Sequence, residues 1–258
     1  MALKSRRWKW ISWEEMAREN PLYAVQSGEG MEDAPAADFT PEQLESLFAK
    51  GRKIYRRHIE WVLSRSPDPP DQTLVVEYGC GVGRLLRAMV DNGVRCAGID
   101  ISPTMLAHCA RLVPQAEALW PLDGEGRSAC PDGAASVVFS YAVVQHIASL
   151  ELYLKAFDEM CRILKPGGRL LAQVNCLDFE GGFERPGRTE NFEDHSLHWR
   201  DGEQEPHLRH AQSQWSGVYI DHRRLTAFLA ERKVKVRNWI PHAASKPMMV
   251  WLNARKAV

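Results

Sequence analysis

The feature that most constrains the fold is a short apolar run that ends in three closely spaced glycines. Residues 74–78 read Leu-Val-Val-Glu-Tyr, and Gly79, Gly81 and Gly83 follow. A run of this kind predicts a buried strand, and the apolar residues after Arg84 predict a helix. Glycines let the backbone approach a ligand closely, and a helix start offers free N–H groups. The segment therefore predicts a ligand site, with a tight turn that binds nothing as the alternative.

The rest of the chain alternates between short apolar runs and helical stretches, which indicates a mostly parallel α/β sheet covered on both faces. A short link before the last run, containing Lys246 and Pro247, permits an antiparallel final pair. Strands are expected at Thr73–Tyr78, Arg95–Ile99, Ala116–Leu119, Ala135–Tyr141, Arg169–Asn175, Lys235–Pro241 and Met248–Asn253. Helices are expected to begin near Gly83, Pro103, Leu150 and Asp221.

Two further helices are expected before the first strand. Ser12 followed by Glu15 three residues later has the pattern of a capping box. Thr40 is expected to cap the second helix, with Pro41 at its first position.

The domain organisation follows from two irregular stretches. The proline-rich residues 67–71 mark a boundary between an N-terminal helical cap or lid over residues 1–70 and a main domain over residues 71–258. Residues 176–217 carry charges, glycines and histidines with little periodicity, and we expect them to form a substrate-side insert.

Composition restricts the functional classes. Lys and Arg number 33, as do Asp and Glu, so nothing in the total charge suggests a nucleic-acid partner. No apolar run is long enough for a membrane helix, and the N-terminus has no apolar leader segment, so we expect a cytoplasmic location without membrane contact. The six cysteines form no C-x-x-C pair, which favours buried thiols. Oligomeric state is not readable.

The glycine spacing and two acidic residues narrow the choice of ligand. A dinucleotide site has the order G-x-G-x-x-G, whereas here Arg84 stands where the third glycine would be. Glu77 at the end of the strand would repel a pyrophosphate and suits a cationic ligand, such as one with an ammonium and a sulfonium. Asp100 ends the second expected strand, where a carboxylate can accept hydrogen bonds from both hydroxyls of a ribose.

Five segments together resemble the class I S-adenosylmethionine-dependent methyltransferases. The N-terminus is similar to a bacterial subgroup, with matches at Trp13, Ala17, Asn20, Pro21, Phe48, Gly51 and Arg52. The resemblance implies a Rossmann-like fold with seven strands in the order 3-2-1-4-5-7-6. The five segments are E-Y-G-C-G-V-G-R at 77–84, G-I-D-I-S at 98–102, L-D-G at 122–124, residues 135–147, and R-I-L-K-P-G-G-R at 162–169.

The resemblance also implies which residues hold S-adenosylmethionine. Glu77 and the glycine backbone would hold the methionine part, Asp100 the ribose and Asp123 the adenine, while Arg52 could reach the methionine carboxylate. A surface salt bridge is the alternative for Arg52. The full cofactor set is Arg52, Glu77, Gly79, Cys80, Gly81, Arg84, Asp100, Ile101, Met105, Asp123, Gly124, Tyr141 and Ala142.

Candidates for catalysis and acceptor binding lie after the fourth strand and in the insert. His146 could act as a base, or it could merely cap the next helix, and Tyr141 would lie beneath the sulfonium. The histidine pairs of the insert have spacing that zinc could use, but we expect no metal. The expected acceptor contacts are Trp13, His195, His198, Trp199, His210 and Trp215.

The predicted function is methyl transfer to oxygen or nitrogen of a small molecule, such as a natural product or a sugar-like metabolite. Methyltransferases of this fold that modify base amino groups carry Asn/Asp-Pro-Pro-Tyr after the fourth strand, whereas residues 140–143 read Ser-Tyr-Ala-Val. Three alternatives stay open: an RNA or protein methyltransferase, a relative that binds the cofactor without catalysis, and a nicotinamide enzyme.

Overall fold

One central sheet organises the chain in a computed structural model that describes residues 12–25, 39–147, 149–177, 218–241 and 249–258. The spatial order of the strands is β3-β2-β1-β4-β5-β8-β7, and β6 pairs with β5. Strands β1 to β6 pair in parallel, and β8 is antiparallel to both β5 and β7. The strands are β1 Leu74–Tyr78, β2 Arg95–Asp100, β3 Leu119–Pro121, β4 Ala135–Ser140, β5 Leu164–Leu177, β6 Ile220–Asp221, β7 Val234–Pro241 and β8 Met249–Lys256.

This topology confirms the Rossmann-like α/β fold and the antiparallel last pair, and it corrects the number of strands. The described residues form eight strands rather than seven, because Ile220–Asp221 pairs in parallel with Cys176 and Leu177. Two residues are too few for an apolar pattern to show. Without β6, the seven remaining strands follow the expected path.

The third strand lies later in the sequence than expected. It was predicted at residues 116–119, but the pairing with β2 begins at Leu119, opposite Gly98, and ends at Pro121. A proline cannot donate to a ladder, and it is tolerated here because β3 is an edge strand of the sheet.

Eight α-helices are present among the described residues, and none of them is long and apolar enough to cross a bilayer. Both predicted capping boxes are confirmed: the Glu15 amide donates to Ser12 Oγ at 3.1 Å and the Gln43 amide to Thr40 Oγ1 at 3.2 Å. A π-helical turn, Tyr55–Ile59, joins α3 to α4. The helices are α1 Trp13–Glu19, α2 Pro21–Val25, α3 Pro41–Ile54, α4 Glu60–Leu63, α5 Arg84–Asp91, α6 Pro103–Leu112, α7 Leu150–Ile163 and α8 His222–Glu231.

Helices cover both faces of the sheet, as a parallel sheet requires. Helices α7 and α8 pack against Val76 and Val138, while α3 to α6 pack against Val75 and Phe139 on the other face. Ile59 of the π-helical turn is fully buried in the second of these clusters. The C-terminal half of the expected cap therefore shares a hydrophobic core with the sheet. The carboxyl ends of the parallel strands meet at one edge of the sheet.

Candidate cofactor and acceptor site

The loop after β1 has a backbone that only glycine adopts easily. Gly79, Gly81 and Gly83 have φ values of 80°, 53° and 86°. A Cβ on Gly79 would lie 2.3 Å from Val143 Cγ2, and one on Gly81 would lie 2.8 Å from Val25 Cγ1. Both the left-handed conformation and the close neighbours therefore require glycine here.

Three amide groups of this loop, which precede the start of α5, donate hydrogen bonds to the second strand. The N–H groups of Gly79 and Cys80 donate to the Ile99 carbonyl at 2.7 and 3.0 Å, and that of Gly81 donates to Asp100 Oδ2 at 2.8 Å. Within the described residues, no backbone N–H donates to the Gly79 carbonyl oxygen. The Gly79 carbonyl oxygen is therefore an acceptor that suits a cationic group. Cys80, which the resemblance also assigns to the cofactor, is a buried residue.

Glu77, near the end of β1, is a buried carboxyl group without a full set of partners. Its side chain is 3% exposed, and its Oε2 accepts no hydrogen bond from the described residues. Burial raises the pKa of Glu77 well above 4.5, although the nearby charge of Arg84 opposes the shift. A buried carboxylate of this kind is costly unless a cation pairs with it. The geometry is that of a receptor for an ammonium group.

Asp100, at the end of β2, contributes to both the fold and the crevice. Its Oδ2 accepts the Gly81 amide, and its Oδ1 accepts the Ser102 amide at 2.9 Å. Burial nevertheless raises the pKa of Asp100. A carboxylate has about four acceptor positions, so about two are left for ribose hydroxyls. The adjacent Ile101 is 57% exposed at the same edge, and its packing on an adenine stays a prediction.

Two other residues that the resemblance assigns to the adenine are Asp123 and Met105. Asp123 Oδ1 accepts the Glu125 and Arg127 amides at 2.9 and 2.8 Å, so this carboxylate shapes a turn next to the open backbone at Gly124. Met105, on α6, is buried against residues of the N-terminal helices.

Arg84 has a better position for an anionic group than Arg52. The guanidinium of Arg84 donates to the Val25 carbonyl at 2.9 Å and lies 5.6 Å from the centre of the Tyr141 ring. None of the described carboxylates forms an ion pair with it, and burial lowers its pKa. Arg52, in contrast, is paired with Glu45 at the surface.

Phe48, Gly51 and Arg52, which match the bacterial subgroup, form a Phe-x-x-Gly-Arg motif. Packing explains why this motif has a glycine. A Cβ on Gly51 would lie 2.3 Å from the carbonyl oxygen of Arg84. The motif therefore lets α3 approach the first turn of α5, where Arg84 lies.

The carboxyl end of β4 has strained backbone beside stacked rings. Ala142 has φ of 58°, and its N–H donates to Gln173 Oε1 at 3.2 Å. Tyr141 stacks on Trp251, with ring centres 5.6 Å apart and an angle of 13°. Strain in a non-glycine residue often accompanies a functional site.

Helix α1 crosses the crevice and contacts both of its walls. On one side, Glu14 accepts the Ser102 and Thr104 hydroxyls at 2.6 Å each and the Thr104 amide at 3.1 Å. Burial opposes ionisation, but these hydrogen bonds outweigh it and lower the pKa of Glu14 to about 2. On the other side, Trp13 meets His146 edge-on at 5.5 Å. Sequence reasoning missed Glu14, which stands out only through its distant partners.

His146 lies just beyond β4, in the 3₁₀ turn Val144–His146, at the active edge where it was expected. The ring is partly buried, and its Nε2 is 3.2 Å from Gln145 Nε2, a contact whose direction depends on the tautomer. The expected acceptor residues of the insert lie outside the described residues: His195, His198, Trp199, His210 and Trp215.

Comparisons with known proteins agree with this geometry. Residues 76–172 match the family model described as a methyltransferase domain. The mouse (Mus musculus) tRNA (carboxymethyluridine(34)-5-O)-methyltransferase is 29% identical over 126 residues, 48% of this chain. The ubiquinone biosynthesis O-methyltransferase of Brucella anthropi is 30% identical over 148 residues, 55% of each chain. The chain thus spans 18% of the mouse relative and about half of the bacterial one.

A solved structure shows the same fold. DesVI of Streptomyces venezuelae superposes with a TM-score of 0.55 at 18% identity, over 86% of this chain and 100% of that one. The glycine loop and the two acidic strand tips lie within the matched residues 76–172, so this part of the chain is a methyltransferase domain with the class I S-adenosylmethionine-dependent fold.

Proposed function

We propose that the chain transfers the methyl group of S-adenosylmethionine to an oxygen atom of a small-molecule acceptor. The observation that carries the proposal is the pair of buried carboxyl groups, Glu77 and Asp100, on either side of the glycine loop. Glu77 and the Gly79 carbonyl would receive the ammonium, Arg84 the carboxylate, and Asp100 the ribose. The sulfonium would then lie over Tyr141 and Ala142, at the end of β4.

The acceptor would enter between Trp13 and His146. Methyl transfer is an in-line displacement, so the enzyme must hold the nucleophile about 3–3.5 Å from the methyl carbon and exclude water. The His146 side chain is an imidazole, a group that can take the proton of a hydroxyl group. The Trp13 ring offers a plane that suits a sugar or a phenol. Both sequence relatives are named as O-methyltransferases, which supports oxygen over nitrogen as the acceptor atom.

The test is a transfer assay with methyl-labelled cofactor on a dialysable metabolite fraction and, separately, on an RNA fraction. We expect label in the metabolite fraction. Replacement of His146 by Ala should lower turnover roughly 100- to 10,000-fold if it is the base. His108→Gln is the matched control, since His108 lies beside Arg111 on α6. Tight cofactor binding without any labelled product would instead indicate a relative that binds without catalysis.

RNA is a second candidate acceptor, because the first relative acts on tRNA. Label confined to the RNA fraction would replace the small-molecule proposal with this one. The cofactor assignment would be unaffected by that outcome.

A further inference from the structure

Five basic residues collect at the end of the last strands that lies away from the cofactor crevice. We call them the basic strip: Arg65, Arg169, Lys235, Arg237 and Arg255. Arg169 of β5 is directly opposite Arg255 of β8, and Arg255 is directly opposite Lys235 of β7. Side chains at directly paired positions point to the same face of a sheet, so three cations lie in one row.

The other two members extend this row. Arg169 Nε donates to the carbonyl oxygen of Arg65, which follows α4. Arg237 lies two residues after Lys235 on β7, and burial and the charges of Arg255, Arg65 and Arg237 lower the pKa of Arg169. Like charges directly opposite one another destabilise a sheet, so the arrangement has a cost that the fold alone does not explain.

Neutral groups orient these arginines without cancelling their charge. Arg255 Nε donates to the Gly167 carbonyl at 3.1 Å. Arg65 Nη1 donates to the Trp61 carbonyl and Ser64 Oγ at 3.1 and 2.9 Å, and its Cζ lies 4.6 Å from the centre of the Trp61 ring.

No carboxylate of the described residues forms an ion pair with any member of the strip, whereas several arginines elsewhere have a carboxylate partner. Arg87 pairs with Asp91, and Arg95 with Glu117. The strip is therefore a set of oriented cations that lacks an anion.

We propose that the basic strip binds the phosphodiester backbone of a single-stranded nucleic acid. Neighbouring strands are about 4.8 Å apart, so the row is longer than one phosphate group and fits a chain of them. The planar guanidinium fork matches phosphate, and the Trp61 ring beside Arg65 offers a surface for a base. Balanced total charge does not oppose this, because a local field depends on where charges lie. The inference is independent of which acceptor is methylated.

The test is fluorescence anisotropy of a labelled, unstructured oligoribonucleotide over a series of salt concentrations. For single strands, the logarithm of the affinity falls linearly with the logarithm of the salt concentration, and each phosphate contact contributes about 0.7 to the slope. Five contacts therefore predict a slope of about 3.5. The triple variant Arg65→Gln, Arg169→Gln, Arg255→Gln should lower the slope by about 2 and weaken binding. The triple Lys variant at the same positions should largely restore binding, which shows that the charge matters.

The matched control is Arg87→Gln, Arg95→Gln, Arg223→Gln, which removes the same charge from arginines that already have carboxylate partners. It should bind RNA like the unmodified chain. Absence of RNA binding at low salt would overturn the proposal, and so would an equal loss in the control. Displacement of the RNA by polyglutamate as efficiently as by unlabelled RNA would overturn it in favour of an acidic protein.

Discussion

The tips of β1 and β2 each carry a buried carboxyl group, but the two groups are used differently. Asp100, at the tip of β2, accepts a backbone N–H on each oxygen, so the loop conformation depends on it. Glu77, at the tip of β1, leaves Oε2 without a partner among the described residues. Burial raises the pKa of both. Glu77 also has a backbone hydrogen bond, from Leu86, so both groups support the fold, and we propose that the unpartnered oxygen of Glu77 is the one that receives the ligand.

The largest effect is expected from Asp100→Ala. The Gly81 and Ser102 amides would lose their acceptor, and each buried, unpaired group costs about 1–3 kcal/mol. The melting temperature should fall by about 2–4 °C per kcal/mol, and cofactor binding should weaken as well. Differential scanning calorimetry and titration with S-adenosylhomocysteine measure the two losses. Asp100→Asn keeps one acceptor oxygen, so its melting temperature and cofactor affinity should lie between those of Asp100→Ala and the unmodified chain. Unchanged affinity in Asp100→Ala would contradict the assignment.

Glu77→Gln should separate stability from binding. A carboxyl group whose folded pKa is raised stabilises the fold below its ordinary pKa of 4.5, and that stability is lost as pH rises through the folded pKa. The cofactor-free variant should therefore melt higher than the unmodified protein at neutral pH, and the gap should close toward pH 4.5. Loss of a charge-assisted hydrogen bond, about 1.5–3 kcal/mol, should weaken cofactor binding roughly 10- to 100-fold. Lower stability with unchanged binding would show a purely structural role.

Glu14→Gln tests the helix that joins the β2 wall to the β4 wall. The variant keeps the shape of the side chain but loses its charge, so α1 should dock less firmly. We expect faster hydrogen exchange in α1 and roughly fivefold weaker cofactor binding, for a loss of about 1 kcal/mol. Because the pKa of Glu14 is lowered from 4.5 to about 2, its stabilising effect should be lost as pH falls through that range. Glu19→Gln, on the exposed side of the same helix, is the control. Equal hydrogen-exchange rates in α1 of both variants would show that Glu14 does not hold this helix in place.

The smallest effect is expected at Asp123, which extends the comparison to the turn after β3. Asp123→Asn keeps an oxygen for the turn and should change stability and cofactor affinity by about 1 kcal/mol or less. If Asp123 receives the adenine amino group, the unmodified chain should prefer S-adenosylhomocysteine over its 6-oxo analogue, and the variant should show less preference. Equal preference in both proteins would leave Asp123 as a turn residue only.

Local patterns predicted much of the fold. The capping boxes at Ser12 and Thr40 depend on residues three apart, and the strand order follows from apolar runs together with a family resemblance. The positions of Asp100 and His146 at the active edge follow from where the runs end. The boundary at residues 70/71 and the role of each site residue stay predictions.

Contacts between distant segments could not be predicted in this way. Glu14 meets Thr104 across 90 positions, and the amides of the glycine loop find Ile99 and Asp100 only once β1 and β2 are aligned. The basic strip depends on the register of β5, β8 and β7, which total charge cannot reveal. The expectation of no nucleic-acid partner came from total charge, and it stays a prediction that the RNA titration tests.

A crystal structure of the chain with S-adenosylhomocysteine tests the central claim most directly. The account predicts the amino group between Glu77 and the Gly79 carbonyl and the ribose hydroxyls on Asp100, with the sulfur over the end of β4. A ligand bound elsewhere, or bound here with its amino group turned away from Glu77, would contradict it.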